Sequence, residues 1–309
     1  MTATPRSLAI DAGQTGIRAL LHTGTGQDLT FEFDGIRTDR ALVPQLAEAV
    51  ARIVSSTTES IVSVSAGISG FSKAETDPEE LRVLVAPHGV REVFLAHDSV
   101  TSYLGALGDE LGVVVASGTG VVTLAVGASQ VARIDGWGYL IGDAGSGYWL
   151  GRAALDAVMR AYDGRGPATS LSAEMLVEFP DLEMAYLELQ ADPARVSRIA
   201  AYSRQVTELA ATDAVSAAIC DRAAAELVLA AATGLRRVGE ADRVSPVVCG
   251  LGGVLRAPEI AHRFDRGLRE IWPGVDIRPA VANALDGAGH LARLAPTSAL
   301  RDRIAISIA

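Results

Sequence analysis

The sequence predicts an α/β protein with two domains, and three observations support this prediction. Segments typical of strands and helices alternate through about the first hundred residues, in the order β-β-β-α-β-α-β-α. A strand, a glycine turn and a second strand occupy Ile10 to Leu20, and the same layout returns at Val113 to Val126. The chain has 309 residues, which suits two domains of roughly 100–200 residues each. We place these domains at 1–105 and 106–284.

The first half of the chain divides into short strands and amphipathic helices. Short apolar runs predict strands, and apolar residues spaced by three and four predict helices. Asp77 is suited to cap a helix that begins at Pro78, where a missing N–H costs nothing. The predicted strands are Leu8 to Ala12, Ile17 to His22, Leu29 to Phe33, Ile61 to Ala66 and Val93 to Ala96. The predicted helices are Leu42 to Val54, Pro78 to Val85 and one that starts near Asp98 or Ser99.

The second half opens with a new pair of strands and then becomes mainly helical. The predicted strands are Val113 to Ala116, Val121 to Val126 and Val247 to Cys249. The predicted helices are Tyr148 to Tyr162, Leu171 to Glu178, Val206 to Leu235, one after Pro258 and one from about Leu285 to Leu294.

Composition and charge exclude several classes of protein. The chain is 49% hydrophobic and 21% charged, which is typical of globular rather than disordered chains. No apolar run reaches the roughly 18–20 residues of a membrane span, and the polar segment Met1 to Ser7 does not resemble a secretion signal. Two cysteines, Cys220 and Cys249, indicate neither disulfides nor zinc, so we expect a cytoplasmic protein. A net charge of −10 without a basic patch argues against nucleic-acid binding.

Two glycine turns are candidate phosphate-binding loops. In Ile10 to Gly16, the carboxylate of Asp11 ends a strand and glycines follow. Glycine lets backbone N–H groups approach phosphate oxygens, and a neighbouring carboxylate can hold Mg²⁺ through water. Ser117 to Gly120 has the same pattern. Each turn alone is equally consistent with a simple β-hairpin, but a nucleotide held between two domains needs one such loop from each.

Asp98 and the segment Val247 to Leu255 are two further candidates. Asp98 stands at the carboxyl end of a strand, where α/β sheets bind ligands, although it could serve only as a helix cap. Val247 to Leu255 runs from a buried strand through glycines into a helix. Adenosine could lie against that bare backbone, or the glycines could serve only helix–strand packing.

The segment Gly136 to Gly147 is rich in glycine and contains Trp137 and Asp143. Glycine loses the most entropy on folding, so such a loop is costly if its role is only structural. An aromatic ring can face the apolar side of a sugar while a carboxylate accepts its hydroxyl groups. The alternative is an ordered loop in which Trp137 fills the core.

In this order, these motifs resemble the N-acetylglucosamine kinase branch of the BadF/BadG/BcrA/BcrD ATPase family, within the actin-like ATPase superfamily. The matching segments are Asp11 to Thr15, Ser117 to Gly120, Gly136 to Ser146 and Gly250 to Val254. Ala12 and Ala144 depart from the pattern, since the family usually has Gly and Glu there, and Ala66 to Phe71 matches the family's substrate loop only loosely.

The resemblance implies two ribonuclease-H-like domains with a central cleft that closes over the sugar. It also implies a C-terminal helix, about 285–309, that packs on the first domain, and a homodimer. The implied reaction is transfer of the γ-phosphate of ATP, with Mg²⁺, to the 6-hydroxyl of an amino sugar, first of all N-acetylglucosamine. No membrane or nucleic-acid partner is implied.

The resemblance also assigns residue roles. Asp98 is the implied catalytic base and Asp11 the implied metal ligand. The implied nucleotide-binding residues are Gly13, Gln14, Thr15, Arg18, Gly118, Thr119, Gly120, Gly252 and Gly253. The implied sugar-binding residues are Gly70, Asp98, Thr119, Gly136, Trp137 and Asp143.

The sequence motifs are also consistent with other functions. The sugar could be glucosamine or N-acetylmuramic acid. The protein could instead be an ATPase activator of an acyl-CoA dehydratase, which needs an iron–sulfur cluster held by cysteines. Cys220 in a predicted helix and Cys249 in a buried strand are poorly placed for that cluster. A third possible function is a sugar-sensing repressor, which would carry an N-terminal helix-turn-helix. The first predicted strand begins by about residue 8, so we expect no helix-turn-helix before it.

Overall fold

The computed structural model describes residues 6–23, 28–57 and 60–309, and the chain forms two compact units. As far as it is described, unit 1 comprises Met1–Leu111, Ala128–Val131 and Pro279–Ala309, and unit 2 comprises Gly112–Gly127 and Ala132–Arg278. The expectation about a secretion signal falls mostly on residues outside the described part. In the described ranges, no helix has both the length and the apolar character needed to cross a bilayer.

The first part of unit 1 follows the predicted order of elements. It consists of β1 (Ser7–Ala12), β2 (Ile17–His22), β3 (Leu29–Phe33), α1 (Leu42–Ser55), β4 (Ser63–Ile68), α2 (Pro78–Val85), β5 (Glu92–His97) and α3 (Asp98–Leu107). The predicted cap of α2 is confirmed, since the Asp77 carboxylate accepts the Glu79 N–H at 2.9 Å. Strand β4 lies two residues later than predicted because its ladder with β1 begins at Ser63.

Unit 2 contains a five-stranded sheet and a group of helices. In chain order the elements are β6 (Gly112–Ser117), β7 (Val121–Val126), β8 (Val131–Ile134), α4 (Gly147–Tyr162), α5 (Leu171–Glu178), α6 (Ala185–Ala191), α7 (Arg195–Ala201), α8 (Ser203–Leu209), α9 (Ala214–Arg237), β9 (Val247–Leu251), α10 (Gly253–Arg256), α11 (Pro258–Ile271) and β10 (Asp276–Arg278). The sheet order is β10-β9-β6-β7-β8, with β9 parallel and β7 antiparallel to β6.

The long helix predicted over Val206 to Leu235 is wrong at its start. Helix α8 ends at Leu209, and α9 begins at Ala214 after Asp213, whose carboxylate accepts the Ser216 N–H at 3.1 Å. Apolar residues keep their helical spacing across this break, so the sequence pattern did not reveal it. Buried residues of α9, such as Leu227 and Leu235, form the unit 2 core with Val113 and Val115 of β6.

The chain returns to unit 1 after Arg278. Helix α12 (Ala284–His290) is followed by two 3₁₀ turns and strand β11 (Ala305–Ile308). The helix predicted over about 285–309 is therefore wrong beyond His290. Strand β11 pairs with β5, a partner far away in the sequence that a local pattern cannot reveal.

The sheet of unit 1 places three strand ends side by side. Its order is β11-β5-β4-β1-β2-β3, and β5, β4 and β1 are parallel. In the ladder, Ala12, Ile68 and His97 are aligned, so these strands end at the same edge. Buried residues of α1 and α2, including Leu46 and Leu81, pack with this sheet to form the core. The edge where β1, β4 and β5 end carries the candidate site.

Candidate active site

Three polar side chains meet where the parallel strands of unit 1 end. Asp11 is the penultimate residue of β1, while Ser69 and Asp98 directly follow β4 and β5. They line a cavity of about 540 Å³ together with Gly13, Thr15, Gly16, Ile17, Arg18, Glu32, Phe33, Ser102 and Ala284. The carboxyl edge of a parallel sheet is where α/β proteins bind ligands, and here it carries two carboxylates close together.

Asp98 is held from two sides and remains open to the cavity. Its Oδ2 accepts the Ser69 hydroxyl at 2.5 Å, its Oδ1 lies 2.8 Å from His97 Nδ1, and 32% of the side chain is exposed. Burial acts to raise the pKa of Asp98, but His97, Ser69 and the Ser99 N–H outweigh burial and lower this pKa below its ordinary value. Asp98 is therefore an ionised carboxylate that can accept a proton.

The N-cap of α3 is His97, so Asp98 is not the simple helix cap that the sequence left open. His97 Nδ1 lies 3.2 Å from the Ser99 nitrogen, so in its acceptor form the ring would cap this N–H. Asp98 is the first residue of the helix, and its carboxylate is free to face the cavity.

Asp11 is paired with an arginine on the neighbouring strand. Arg18 lies opposite Asp11 in the β1–β2 ladder, and its Nη2 donates to Asp11 Oδ2 at 2.7 Å. Burial raises the pKa of Asp11 above its ordinary value, Arg18 opposes that rise, and the charge of Asp98 adds to it. Only 14% of the Asp11 side chain is exposed. A carboxylate in a polar cavity that Asp98 and Glu32 also line suits Mg²⁺, which keeps several waters and takes its other ligands from phosphates.

The turn after β1 leaves specific N–H groups available. The Gly13 N–H donates to the Gly16 carbonyl at 3.0 Å, so Gly13 itself cannot offer this donor to a ligand. Within the described residues, the N–H groups of Gln14 and Thr15 make no backbone hydrogen bond. A Cβ on Gly13 would be 3.4 Å from its nearest neighbour, an ordinary contact, and the residue has no positive φ. The fold therefore does not require glycine at this position.

The turn after β6 in unit 2 is one residue shorter but also leaves N–H groups available. The Gly118 N–H donates to the Gly120 carbonyl at 2.8 Å, while the Gly118 and Thr119 carbonyls accept the first two N–H groups of α4. The N–H groups of Thr119 and Gly120 make no backbone hydrogen bond in the part of unit 2 that is described. A Cβ on Gly118 would meet nothing within 4 Å. This glycine also has no packing role.

The glycine-rich loop of unit 2 is organised by two aspartates. The Asp135 carboxylate accepts the N–H groups of Gly136, Asp143 and Ala144 at 2.8–2.9 Å. Asp135 and Asp143 both have positive φ, which is uncommon for residues other than glycine, although aspartate adopts it more often than most. Asp143 is 8% exposed, and its Oδ1 accepts the Gly138 N–H at 3.2 Å. Burial, with the charge of Asp135, raises the pKa of Asp143.

Trp137 lies at the surface of unit 2 rather than in the core. Its side chain is 57% exposed, and the Arg133 guanidinium carbon lies 4.7 Å from the ring centroid. Arg133 also donates to the carbonyls of Asp135 and Gly136. The alternative in which Trp137 fills the core is wrong.

The glycines after β9 have different roles. Gly252 has φ +91°, and a Cβ there would lie 2.1 Å from the Ser117 carbonyl oxygen, so this residue must be glycine for β9 to meet β6. Gly253 has open space around it and lines a cavity of about 380 Å³ with Leu150, Ser203, Arg204, Thr207, Val254, Arg256 and Ala257.

A family model matches residues 9–289, which is most of the chain, and its family is the BadF/BadG/BcrA/BcrD ATPases. The chain belongs to the BadF/BadG/BcrA/BcrD ATPase family. The resemblance recognised in the sequence motifs is thereby confirmed.

Two curated relatives of this family member match short segments. An N-acetylmuramic acid/N-acetylglucosamine kinase of Clostridium acetobutylicum is 34% identical over 86 residues, or 28% of each chain. An N-acetyl-D-glucosamine kinase of Dictyostelium discoideum is 44% identical over 73 residues, or 23% of each chain. The chain thus spans about a quarter of the length of these relatives in the matched regions.

Solved structures establish the fold of this family member. A Chromobacterium violaceum protein with a provisional N-acetylglucosamine kinase assignment aligns with a TM-score of 0.68 at 24% identity, covering 94% of this chain and 99% of the other. A ROK hexokinase from Thermus thermophilus aligns with a TM-score of 0.55 at 18% identity, covering 96% and 99%. The predicted α/β fold of the actin-like ATPase class is confirmed.

The structure groups the predicted site residues within each unit. In unit 1, Asp11, Gly13, Thr15, Arg18 and Asp98 share one cavity, whereas Gln14 and Gly70 are not among the residues that line it. In unit 2, Gly120 lies against Asp143, where a Cβ would approach Oδ2 to 2.6 Å, and Gly252 lies against Ser117.

Several residues of the site were missed in the sequence. Ser69 follows β4 as Asp98 follows β5, so its position after a strand was a usable signal. Glu32 lies opposite Arg18 in the β2–β3 ladder, and this register has no local signature. Nor did any pattern indicate that Asp135 organises the unit 2 loop.

The two cysteines do not fit a shared iron–sulfur cluster. Cys220 in α9 and Cys249 in β9 are both buried, and burial raises the pKa of each thiol to about 11. Cluster ligation at a subunit interface needs accessible thiolates. In the residues that the structure describes, no group of three or more His, Cys, Asp or Glu side chains is arranged to hold a metal.

Proposed function

We propose that this protein is an ATP-dependent sugar kinase that phosphorylates the 6-hydroxyl of an amino sugar, with N-acetylglucosamine the first candidate. The observation that carries the proposal is the ionised Asp98 facing a polar cavity beside Asp11 and the turn at Gly13. The names of the two curated relatives support the class of acceptor.

In the proposed reaction, Asp98 accepts the proton as the sugar O6–H bond breaks and O6 bonds to the γ-phosphorus. The bond from that phosphorus to the bridging oxygen of ADP breaks in the same transfer. Asp11 would hold Mg²⁺ directly or through water, and the ion would supply positive charge beside the phosphates. The N–H groups of Gln14 and Thr15 and the guanidinium of Arg18 donate to phosphate oxygens.

In unit 2, we propose that Thr119 and Gly120 supply further N–H donors to phosphate, and that the cavity at Gly253 accepts the adenosine. Trp137 has a ring face available for stacking on a pyranose, with Arg133 on the other face. Asp143, Gly136, Thr119 and, in unit 1, Gly70 complete the proposed sugar contacts. The homodimer implied by the resemblance stays a prediction.

The test is ADP release with a panel of acceptors. N-acetylglucosamine, glucosamine, N-acetylmuramic acid and glucose are each supplied with MgATP, and phosphorus NMR locates the phosphate on the product. We expect one amino sugar to stimulate ADP release strongly, and its 6-deoxy analogue to give none above the level without sugar. Equal ADP release with and without every sugar would contradict a kinase and favour an ATPase.

A further inference from the structure

The Nδ1 atom of His97 lies close to both the carboxylate of Asp98 and Ser99. Its Nδ1 lies 2.8 Å from Asp98 Oδ1, 2.9 Å from the Ser99 hydroxyl oxygen and 3.2 Å from the Ser99 nitrogen. The ring is anchored because His97 is the last residue of β5, where it pairs with Ile68 of β4, and also the N-cap of α3. Only 23% of the His97 side chain is exposed.

The proton on this ring cannot satisfy all three contacts equally. A neutral imidazole carries one proton, so Nδ1 is either a donor or an acceptor. As an acceptor, Nδ1 would take the Ser99 N–H as a helix cap, but it would also turn its lone pair toward an ionised carboxylate oxygen 2.8 Å away, which is repulsive. With the proton on Nδ1, the ring donates to Asp98 Oδ1 and the contact becomes a charge-assisted hydrogen bond. An ionised Asp98 therefore selects the Nδ1–H form of His97.

Two fixed donors then hold the carboxylate in one orientation. Ser69 follows β4 and donates to Oδ2. In the Nδ1–H form, His97, which ends β5, donates to Oδ1 at a distance of 2.8 Å. An ionised carboxylate has about four acceptor positions, so both oxygens keep capacity for a substrate hydroxyl after these bonds form. Strand ends are more rigid than loops, and a base held in this way loses little orientation when substrate arrives.

We propose that His97 is a positioning residue that orients Asp98, through Nδ1–H, for proton acceptance. The kinetic effect expected from this role rests on the proposed function, whereas the hydrogen bond between His97 and Asp98 does not. Other charged groups around the cavity are Asp11, Arg18 and Glu32, on β1, β2 and β3. They lie on elements other than β5 and α3, so a change at His97 leaves them in place.

The kinetic test compares His97→Ala with His97→Asn. The asparagine Nδ2 stands at the same number of bonds from the backbone as histidine Nδ1, so it can donate to Asp98 in the same place. We expect His97→Ala to lower kcat about 10- to 100-fold with KM for ATP unchanged, and His97→Asn to restore most of the loss. His262→Asn, at an exposed residue of α11, is the matched control.

A spectroscopic test needs no activity. Nitrogen-15 NMR of histidine-labelled wild type should show His97 protonated at Nδ1, and Asp98→Ala should shift the proton toward Nε2. A wild-type His97 protonated only at Nε2, unchanged kcat in His97→Ala, or equal loss of kcat in folded His97→Ala and His97→Asn would each overturn the proposal. If the wild type phosphorylates no sugar, the proposed function fails while the NMR result still decides the role of His97.

Discussion

The turn after β1 in unit 1 and the turn after β6 in unit 2 make the same kind of connection in different surroundings. Each joins a strand to its antiparallel neighbour, and each contains a glycine whose missing side chain is required by no packing contact. The unit 1 turn lies beside carboxylates, Asp11 and Asp98, in a polar cavity. The unit 2 turn is fixed by α4 and Gly252. Unit 1 thus has two cavity-lining carboxylates at its turn, whereas the unit 2 turn has one buried carboxylate, Asp143, against Gly120.

This comparison separates glycines that serve packing from glycines that leave room for a ligand. Gly252 belongs to the first class because a neighbouring carbonyl occupies the place of its Cβ. Gly13 and Gly118 belong to the second, since a Cβ would meet an ordinary contact at Gly13 and nothing within 4 Å at Gly118, and neither residue has a positive φ. Substitutions in the two classes should therefore affect different measurements.

The largest effect on stability is expected at Gly252. In Gly252→Ala the new Cβ meets the Ser117 carbonyl and the residue keeps a φ that only glycine adopts readily, so we expect a loss of about 3 kcal/mol or more. The free energy of unfolding, from urea titration, measures this. Gly253→Ala is the control, because its Cβ would meet only the end of Arg256 at 4.0 Å. Equal unfolding free energies of Gly252→Ala and Gly253→Ala would show that packing does not require glycine at 252.

A smaller effect, on binding alone, is expected at Gly13 and Gly118. Alanine fits both positions, so the unfolding free energy should stay at or slightly above that of the wild type. If the methyl group blocks one N–H to a phosphate oxygen, the KM for ATP should rise about 10- to 100-fold. Steady-state kinetics with melting curves measure both quantities. Unchanged KM in both variants would favour plain hairpin turns.

The smallest effect is expected at a unit 1 carboxylate outside the cavity. Glu79 bonds Arg82 and the Ser307 hydroxyl of β11, and these partners lower its pKa from 4.5 to about 2. A carboxylate whose pKa is lower in the folded chain stabilises it above pH 4.5, and that contribution is lost as the pH falls toward 2.

Glu79→Gln should therefore melt at a lower temperature than the wild type at pH 7, and the two should converge near pH 2. Melting curves across this range check the expectation, with Glu80→Gln as the neighbouring control. A constant difference at every pH would show that the charge of Glu79 contributes nothing. Glu79 thus contributes to stability alone, whereas Asp98 lines the cavity and is expected to affect kcat.

Patterns local in sequence predicted the parts of the molecule that are fixed locally. The helix Pro78–Val85 was predicted because its cap and first proline are adjacent in sequence. The position of Asp98 at the carboxyl end of a strand was predicted because the strand before it and the helix after it are adjacent in sequence. Features fixed by pairing between distant segments were missed. Strand β11 depends on β5, and the contact of Ser69 with Asp98 depends on the register of β4 and β5.

The break at Asp213 was missed for a different reason. Alanine and leucine spacing continues through residues 206–235, and the cap signal of Asp213 was outweighed by that period. The role of Asp135 depends on backbone with positive φ, which its sequence neighbours do not encode.

The central claim is that the Asp98 carboxylate accepts the proton of the sugar hydroxyl, and Asp98→Asn tests it most directly. Asparagine keeps the size of the side chain and a contact to Ser69 but is not a base. We expect kcat for the preferred amino sugar to fall about 10²- to 10⁴-fold, with the Kd for ATP from calorimetry near the wild-type value. A folded Asp98→Asn variant with wild-type kcat would contradict the account.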